Sequence, residues 1–159
     1  MKILVLNCGS SSVKYQLIET DLEMIERNAD RALAKGAVER IGTSSAIHSY
    51  QPEGGEKRRD VSEILEHSAA ISEILHTLTQ GERRVLDDVS EVDAVGHRTV
   101  HGGEAFAASV LITPEVLEKM EECSELAPLH NPHNLRGYRA AKKVLPEVPH
   151  VAVFDTAYH

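Results

Sequence analysis

Tryptophan is absent from the chain, phenylalanine occurs twice and tyrosine four times. So little aromatic surface gives scant material for a base-stacking platform or an aromatic-anchored interface, so aliphatic side chains must fill the core. Cysteine is almost as scarce. Cys8 and Cys123 are the only two in 159 residues, which fits a reducing compartment and leaves few thiolates for a metal centre. No apolar run approaches the ~18 residues of a membrane span. The opening Met1-Lys2-Ile3-Leu4-Val5-Leu6 imitates a signal peptide, but the run stops at Asn7-Cys8-Gly9, short of the roughly 7–15 residues of an h-region. The expectation is therefore a soluble, cytoplasmic protein with no membrane partner. Positive charge is also in deficit, since 17 Lys and Arg against 25 Asp and Glu leave a net charge of −8. That balance argues against a nucleic-acid partner, which calls for a basic surface, but not against a small anion held by one or two placed cations. The length is that of one domain, enough to bury a core without staples.

What is present is a clear alternation of patterns. Ile3-Leu4-Val5-Leu6 is a short apolar run typical of a strand buried on both faces. After Gly9-Ser10-Ser11-Ser12, Val13, Tyr15 and Leu17 alternate with Lys14 and Gln16, so the first element is a β-hairpin. Residues 21–60 predict further short strands of the same sheet, with turns at Gly42-Thr43-Ser44-Ser45 and Gly54-Gly55. From Asp60 the apolar spacing Val61, Ile64, Leu65, Ile71, Leu75, Leu78 predicts a helix capped by Asp60 and Glu63 and ended by Gly81. Val92–Gly96 reads as a buried strand. Thr113-Pro114 opens a helix along Val116, Leu117, Met120 and Cys123, and Asn131-Pro132 opens another along Leu135, Tyr138 and Leu145. Val151-Ala152-Val153-Phe154 is a last buried strand, followed by Asp155. A hairpin followed by strands alternating with helices gives an α/β fold with a mixed sheet flanked by helices. Ligands of such sheets sit beyond the carboxyl ends of strands, and three strands here end in polar groups: Asn7 with its Gly-Ser loop, His97-Arg98, and Asp155.

Asn7-Cys8-Gly9-Ser10-Ser11-Ser12-Val13-Lys14 holds small residues, hydroxyls, an amide and a cation, which are the parts of a phosphate cradle. It is not a Walker A loop, because it opens a strand rather than a helix, and an ordinary hairpin turn uses the same residues. Arg98, beside Gly102-Gly103, carries a guanidinium fork suited to a carboxylate or phosphate, although a surface ion pair is the plainer reading. Asp155 ends an apolar strand, where a carboxylate must be solvated at a cleft, bind a cation or cap a following helix. His97-x3-His101 and His130-x2-His133 have metal-like spacing but fall in predicted loops. Loop hydrogen bonding or a cation beside an anion site is favoured over structural zinc.

Taken in order, Leu6–Lys14, Gly96-His97-Arg98-Thr99-Val100-His101-Gly102-Gly103-Glu104, Ala127-Pro128-Leu129-His130-Asn131-Pro132 and Val153-Phe154-Asp155-Thr156-Ala157 resemble the motifs of acetate kinases. The resemblance implies the ribonuclease-H-like fold of the actin-like ATPase superfamily. It implies reversible phosphoryl transfer from ATP to acetate, giving acetyl phosphate and ADP, with Mg2+. On that resemblance Asn7 would help hold magnesium, Ser10, Ser12 and Lys14 would address the ATP phosphates, and Arg98 would grip acetate and the transferring phosphoryl group. Val100 and Leu129 would shape the methyl pocket, and Asp155 would be the catalytic aspartate. Propionate kinases share these motifs, so a propionate kinase domain is the near alternative, and a stand-alone, non-catalytic ligand-binding module of the same fold is the distant one. His133 and Tyr158 depart from the usual pattern, which has a small or apolar residue and a Phe there. Family chains are more than twice as long and full-length members form homodimers. Residues 1–159 therefore correspond to the N-terminal domain, with the C-terminal nucleotide-binding domain lying outside this chain.

Overall fold

A computed structural model describes residues 1–20, 31–99, 109–118 and 131–154. Val100, His101, Met120, Cys123, Leu129, His130, Asp155, Tyr158 and His159 lie outside the described residues. Five strands form an antiparallel meander: β1 (Lys2–Cys8), β2 (Val13–Glu19), β3 (Arg31–Glu39), β4 (Thr43–Pro52) and β5 (Arg58–Ile64). Helix α1 (His67–Thr79) and a 3-10 turn (Val89–Glu91) lead back to β6 (Ala94–Thr99). Then come β7 (Ser109–Leu111), helix α2 (Asn131–Val144) and β8 (His150–Phe154). The eight strands form one sheet in the order β5-β4-β3-β2-β1-β6-β8-β7. β6 lies parallel to β1 and β8 parallel to β6, while β7 closes the edge antiparallel to β8. A mixed sheet opening on a hairpin is thus what the chain forms.

Alternation along β1 and β2 divides the sheet into two faces. Leu4, Leu6, Cys8, Val13, Tyr15 and Leu17 are buried and cluster with Ile71, Ile74 and Leu78 of α1 and Ala141 of α2. Burying each large aliphatic side chain contributes about 1.5–3 kcal/mol, so this layer between sheet and helices supplies most of the cohesion. Tyr15 lies across from Gly36 on β3, and its ring occupies the space a Cβ at Gly36 would need, with the phenolic oxygen 2.5 Å from that position. Its hydroxyl reaches His48 Nε2 at 2.7 Å.

The helix predicted from Asp60 begins later. Residues Arg58–Ile64 pair with β4, register Tyr50↔Arg58 to Thr43↔Ile64, and the helix starts at His67. Val61 and Leu65 are 66% and 60% exposed, so the helical spacing that included them is a coincidence. The backbone of β4 needs a partner, and the charged 58–63 stretch makes a suitable solvent-facing edge. The N-cap is Glu66, without a side-chain capping bond, rather than Asp60. Gly81, at φ 84°, follows the helix end as anticipated. The turn placed at 42–45 is also earlier, because Thr43 already belongs to β4. Helical residues 114–118 follow Thr113, whose Oγ1 accepts from the Val116 amide at 3.3 Å.

Two buried histidines join β6, β8 and α2. His150 Nε2 lies 2.8 Å from the Leu145 carbonyl, which can only accept, so that nitrogen carries the hydrogen and Nδ1 is free to accept. His97 Nε2 then donates to His150 Nδ1 at 2.9 Å. The rings lie 17° from parallel, and Tyr138 of α2 sets its ring edge-on to both, centroids 5.6 Å away. Burial pushes both imidazole pKa values down, His97 to about 3.

Below the ordinary imidazole pKa of 6.5 the unfolded chain binds protons that the folded chain refuses. Stability is therefore full above that pH and is lost progressively as pH falls towards 3. For His97 alone the loss from pH 7.5 to pH 5 is about 2 kcal/mol. Urea midpoints across that range should show the decline, and His97→Gln should flatten it. At Gly137 a Cβ would sit 2.7 Å from Cys8 Cβ and also meet its Sγ. Gly137→Ala should accordingly cost about 1–3 kcal/mol in the same titration by lifting α2 from β1.

Candidate functional site

Because β1 and β6 run parallel with Leu6 beside His97, their carboxyl ends finish at the same edge of the fold. β8 joins them, with Val153 beside Arg98 and Phe154 beside Thr99. Strand parity then sorts the polar residues. Leu6 and His97 face the helices, both buried, while the next residue of each strand, Asn7 and Arg98, is exposed on the opposite face. Lys14 pairs directly across from Asn7 and is exposed on that same face. Asn7, Lys14 and Arg98, read separately from three segments, are thus brought to one end of one sheet face. The Asn7 and Lys14 side chains have no hydrogen-bond or ion-pair partner among the described residues. Val100, Leu129 and Asp155, predicted as pocket and catalytic residues, lie outside the described residues.

Ser10 and Ser12 sit in the turn joining β1 to β2. Three carbonyls of this turn are already engaged: Ser12 accepts from the Gly9 amide at 2.9 Å, Ser11 from the Ile41 amide at 2.9 Å, and Gly9 from His67 Nε2 at 2.9 Å. No acceptor among the described residues takes the amides of Ser10, Ser11 or Ser12. A turn with engaged carbonyls and unspent amides has donors left for an anion, and Lys14 follows it on the exposed face of β2. Gly9 permits this shape, since a Cβ there would lie 2.8 Å from Ser12 Oγ. Ser10 also lines an open cleft of about 850 Å³ between the start of α1 and the flank of α2, with His67, Arg136 and Lys143.

The histidine reading needs correction. His97 lies in β6 rather than in a loop, is 3% exposed, and is neutral because burial depresses its pKa. Neutral, it is no cation beside an anion, and its buried ring spends Nε2 on His150. His133 lies in α2, not in a loop, and its Nδ1 is buried without a hydrogen-bond partner among the described residues. Among the described residues no group of His, Cys, Asp and Glu is placed to hold a metal ion. Burial raises the Cys8 thiol to about 12, so it is not a reactive thiolate. His67 was missed by sequence reading, because no local pattern announces a side chain that bonds a turn 58 residues away. Gly137 was missed too, although a glycine inside a helix is itself a signal of close approach.

No helix among the described residues is long and apolar enough to cross a membrane. In comparison with known proteins, residues 2–159 match the model of the Acetokinase family. An acetate kinase of Desulfitobacterium hafniense is 52% identical over the whole chain, and one of Caldanaerobacter subterraneus subsp. tengcongensis is 51% identical. The chain spans about 38% of the length of these curated relatives. Among solved structures, Porphyromonas gingivalis acetate kinase superposes with a TM-score of 0.88 at 47% identity, covering 98% of this chain and 37% of that one. A propionate kinase from Francisella tularensis gives 0.82 at 38% identity, covering 99% and 38%. The ordered motifs, the hairpin-led mixed sheet with its ribonuclease-H-like, actin-like ATPase architecture, and these matches agree: the chain belongs to the acetokinase family.

Proposed function

We propose that this chain is the N-terminal domain of a longer acetate kinase, which transfers the γ-phosphoryl group of ATP to acetate. The supporting observation is the convergence of Asn7, Lys14 and Arg98 on one sheet end beside the unspent amides of Ser10–Ser12. Amides and the Lys14 ammonium are suited to the phosphate oxygens, and the planar Arg98 fork to a carboxylate or an in-flight phosphoryl group. Acetate is a carboxylic acid like a Glu side chain, with a pKa near 4.3, and is already ionised at neutral pH. No base is needed to make the nucleophile. One acetate oxygen forms the new bond to phosphorus as the bond from phosphorus to the bridging oxygen of ADP breaks, and ADP leaves with that electron pair. The work left to the protein is alignment and charge neutralisation.

Magnesium fits the donor chemistry on this face. The exposed Asn7 carboxamide is a hard oxygen donor, and magnesium keeps most of its shell as water and phosphate oxygen, taking one or two protein ligands. Asn7 would be one such ligand, and Asp155, following β8, would hold the ion or its waters. The ion supplies neutralisation of the phosphate charge. Val100 and Leu129 would close around the methyl group of acetate. The propionate kinase neighbour supports a second reading, a three-carbon substrate, which competition between acetate and propionate on the complete enzyme decides.

In the complete enzyme Arg98→Ala should lower kcat by about 10²–10³-fold, as expected for removing a donor aimed at transition-state charge. Coupled ADP-release kinetics would measure it, and unchanged kcat would sink the role. Asp155→Asn should weaken both magnesium affinity and rate, and retention of both would exclude the metal-positioning role. Residues 1–159 alone should form no acetyl phosphate trappable as hydroxamate, because the nucleotide clamp of the remaining domain is missing.

A further inference from the structure

In an ordinary tight hairpin turn the first carbonyl accepts the amide three residues on, which closes the turn on itself. In this turn that bond would run from the Ser12 amide to the Gly9 carbonyl, and it is absent among the described residues. The Gly9 carbonyl is instead occupied by His67 Nε2 at 2.9 Å. His67 is 7% exposed and is the first residue of α1, so its ring is fixed by the helix that packs beneath the sheet. The neighbouring carbonyl of Ser11 is taken by Ile41 from the β3–β4 turn. Two separate elements thus hold the turn by its carbonyls, and its Ser10–Ser12 amides have no acceptor among the described residues.

We infer that His67 is a positioning residue for the anion-receiving turn: by drawing the Gly9 carbonyl toward α1 it holds the turn in the open form, in which the Ser12 amide makes no bond within the turn and stays available to a phosphate oxygen. This rests on the proposal that the turn addresses the phosphates of ATP. His67 acts only through the backbone, at the Gly9 carbonyl. The consequence is specific to one side of the reaction, because on that proposal the turn addresses the phosphates of ATP and not acetate. Losing the bond should harm ATP use and spare acetate binding.

His67→Gln keeps a side-chain N–H donor of similar reach, whereas His67→Phe keeps a ring and loses the donor. His67→Leu is a second donor-free variant should the Phe protein fail to fold. In the complete enzyme His67→Phe should raise the KM for ATP about tenfold, the loss expected for one hydrogen bond near a charged ligand, with the KM for acetate unchanged. His67→Gln should restore most of it. In this 159-residue chain without ligand, amide hydrogen exchange at Ser12 should slow in the Phe or Leu variant as the turn closes, and stay fast in the Gln variant. Equal losses for Gln and Phe, losses on both substrates alike, or unaltered Ser12 exchange would each overturn the inference. A wild-type complete enzyme that fails to phosphorylate acetate would instead sink the proposed function, while Ser12 exchange would still decide the role of His67.

Discussion

Everything at the candidate site depends on β1 being paired on both sides in opposite senses. Antiparallel pairing with β2 places the turn and Lys14 directly beside Asn7, and parallel pairing with β6 carries Arg98 to the same end. A strand paired in only one of these ways would supply a phosphate turn without the arginine, or the arginine without the turn. Because side chains alternate strictly along a strand, the same seven residues that fix this geometry also separate the two faces. Leu4, Leu6 and Cys8 are committed to the helices, and Asn7 is left for chemistry. The close seat of Gly137 over Cys8 shows how little slack remains between the helix layer and the end of β1.

Histidine serves this fold as a neutral hydrogen-bonding wedge. His97 and His150 pass a chain of hydrogen bonds from β6 through β8 to the end of α2, His48 meets Tyr15 under the meander, and His67 ties α1 to the turn. Burial depresses the pKa of all four, so each keeps one ring N–H to donate or one nitrogen to accept. With few aromatic residues available, imidazole supplies flat, directional packing where Phe or Trp would stand elsewhere. Among the described residues no Asp or Glu is buried.

Much of this was legible locally. The β1–turn–β2 unit declares itself through Gly and Ser between two strand patterns, and the hairpin and the buried face of β2 agree with the structure, whereas β1 extends beyond 3–6 to Lys2–Cys8 and buries one face rather than two, Ile3 and Val5 being half-buried. The end of β5 reads as helix because Val61, Ile64 and Leu65 fall at helical spacing by chance, and the decisive factor is the unpaired backbone of β4, which no window around residue 60 contains. His97 and Arg98 were read together as neighbours, yet strand parity sends them to opposite faces with opposite fates. The link from His67 to Gly9 spans 58 positions and leaves no trace in either segment.

The sequence by itself determined the family, the hairpin, the alternation of strands and helices, and the residue types equipped for anion chemistry, because these reside in local patterns and contiguous motifs. Only the tertiary structure decided which of those residues share a face, which histidines are buried and neutral, and why the turn keeps its amides unspent. The reason is physical. Propensity and periodicity act over a few residues, while burial, pairing register and a hydrogen bond that competes with turn closure exist only once distant segments have been brought into contact.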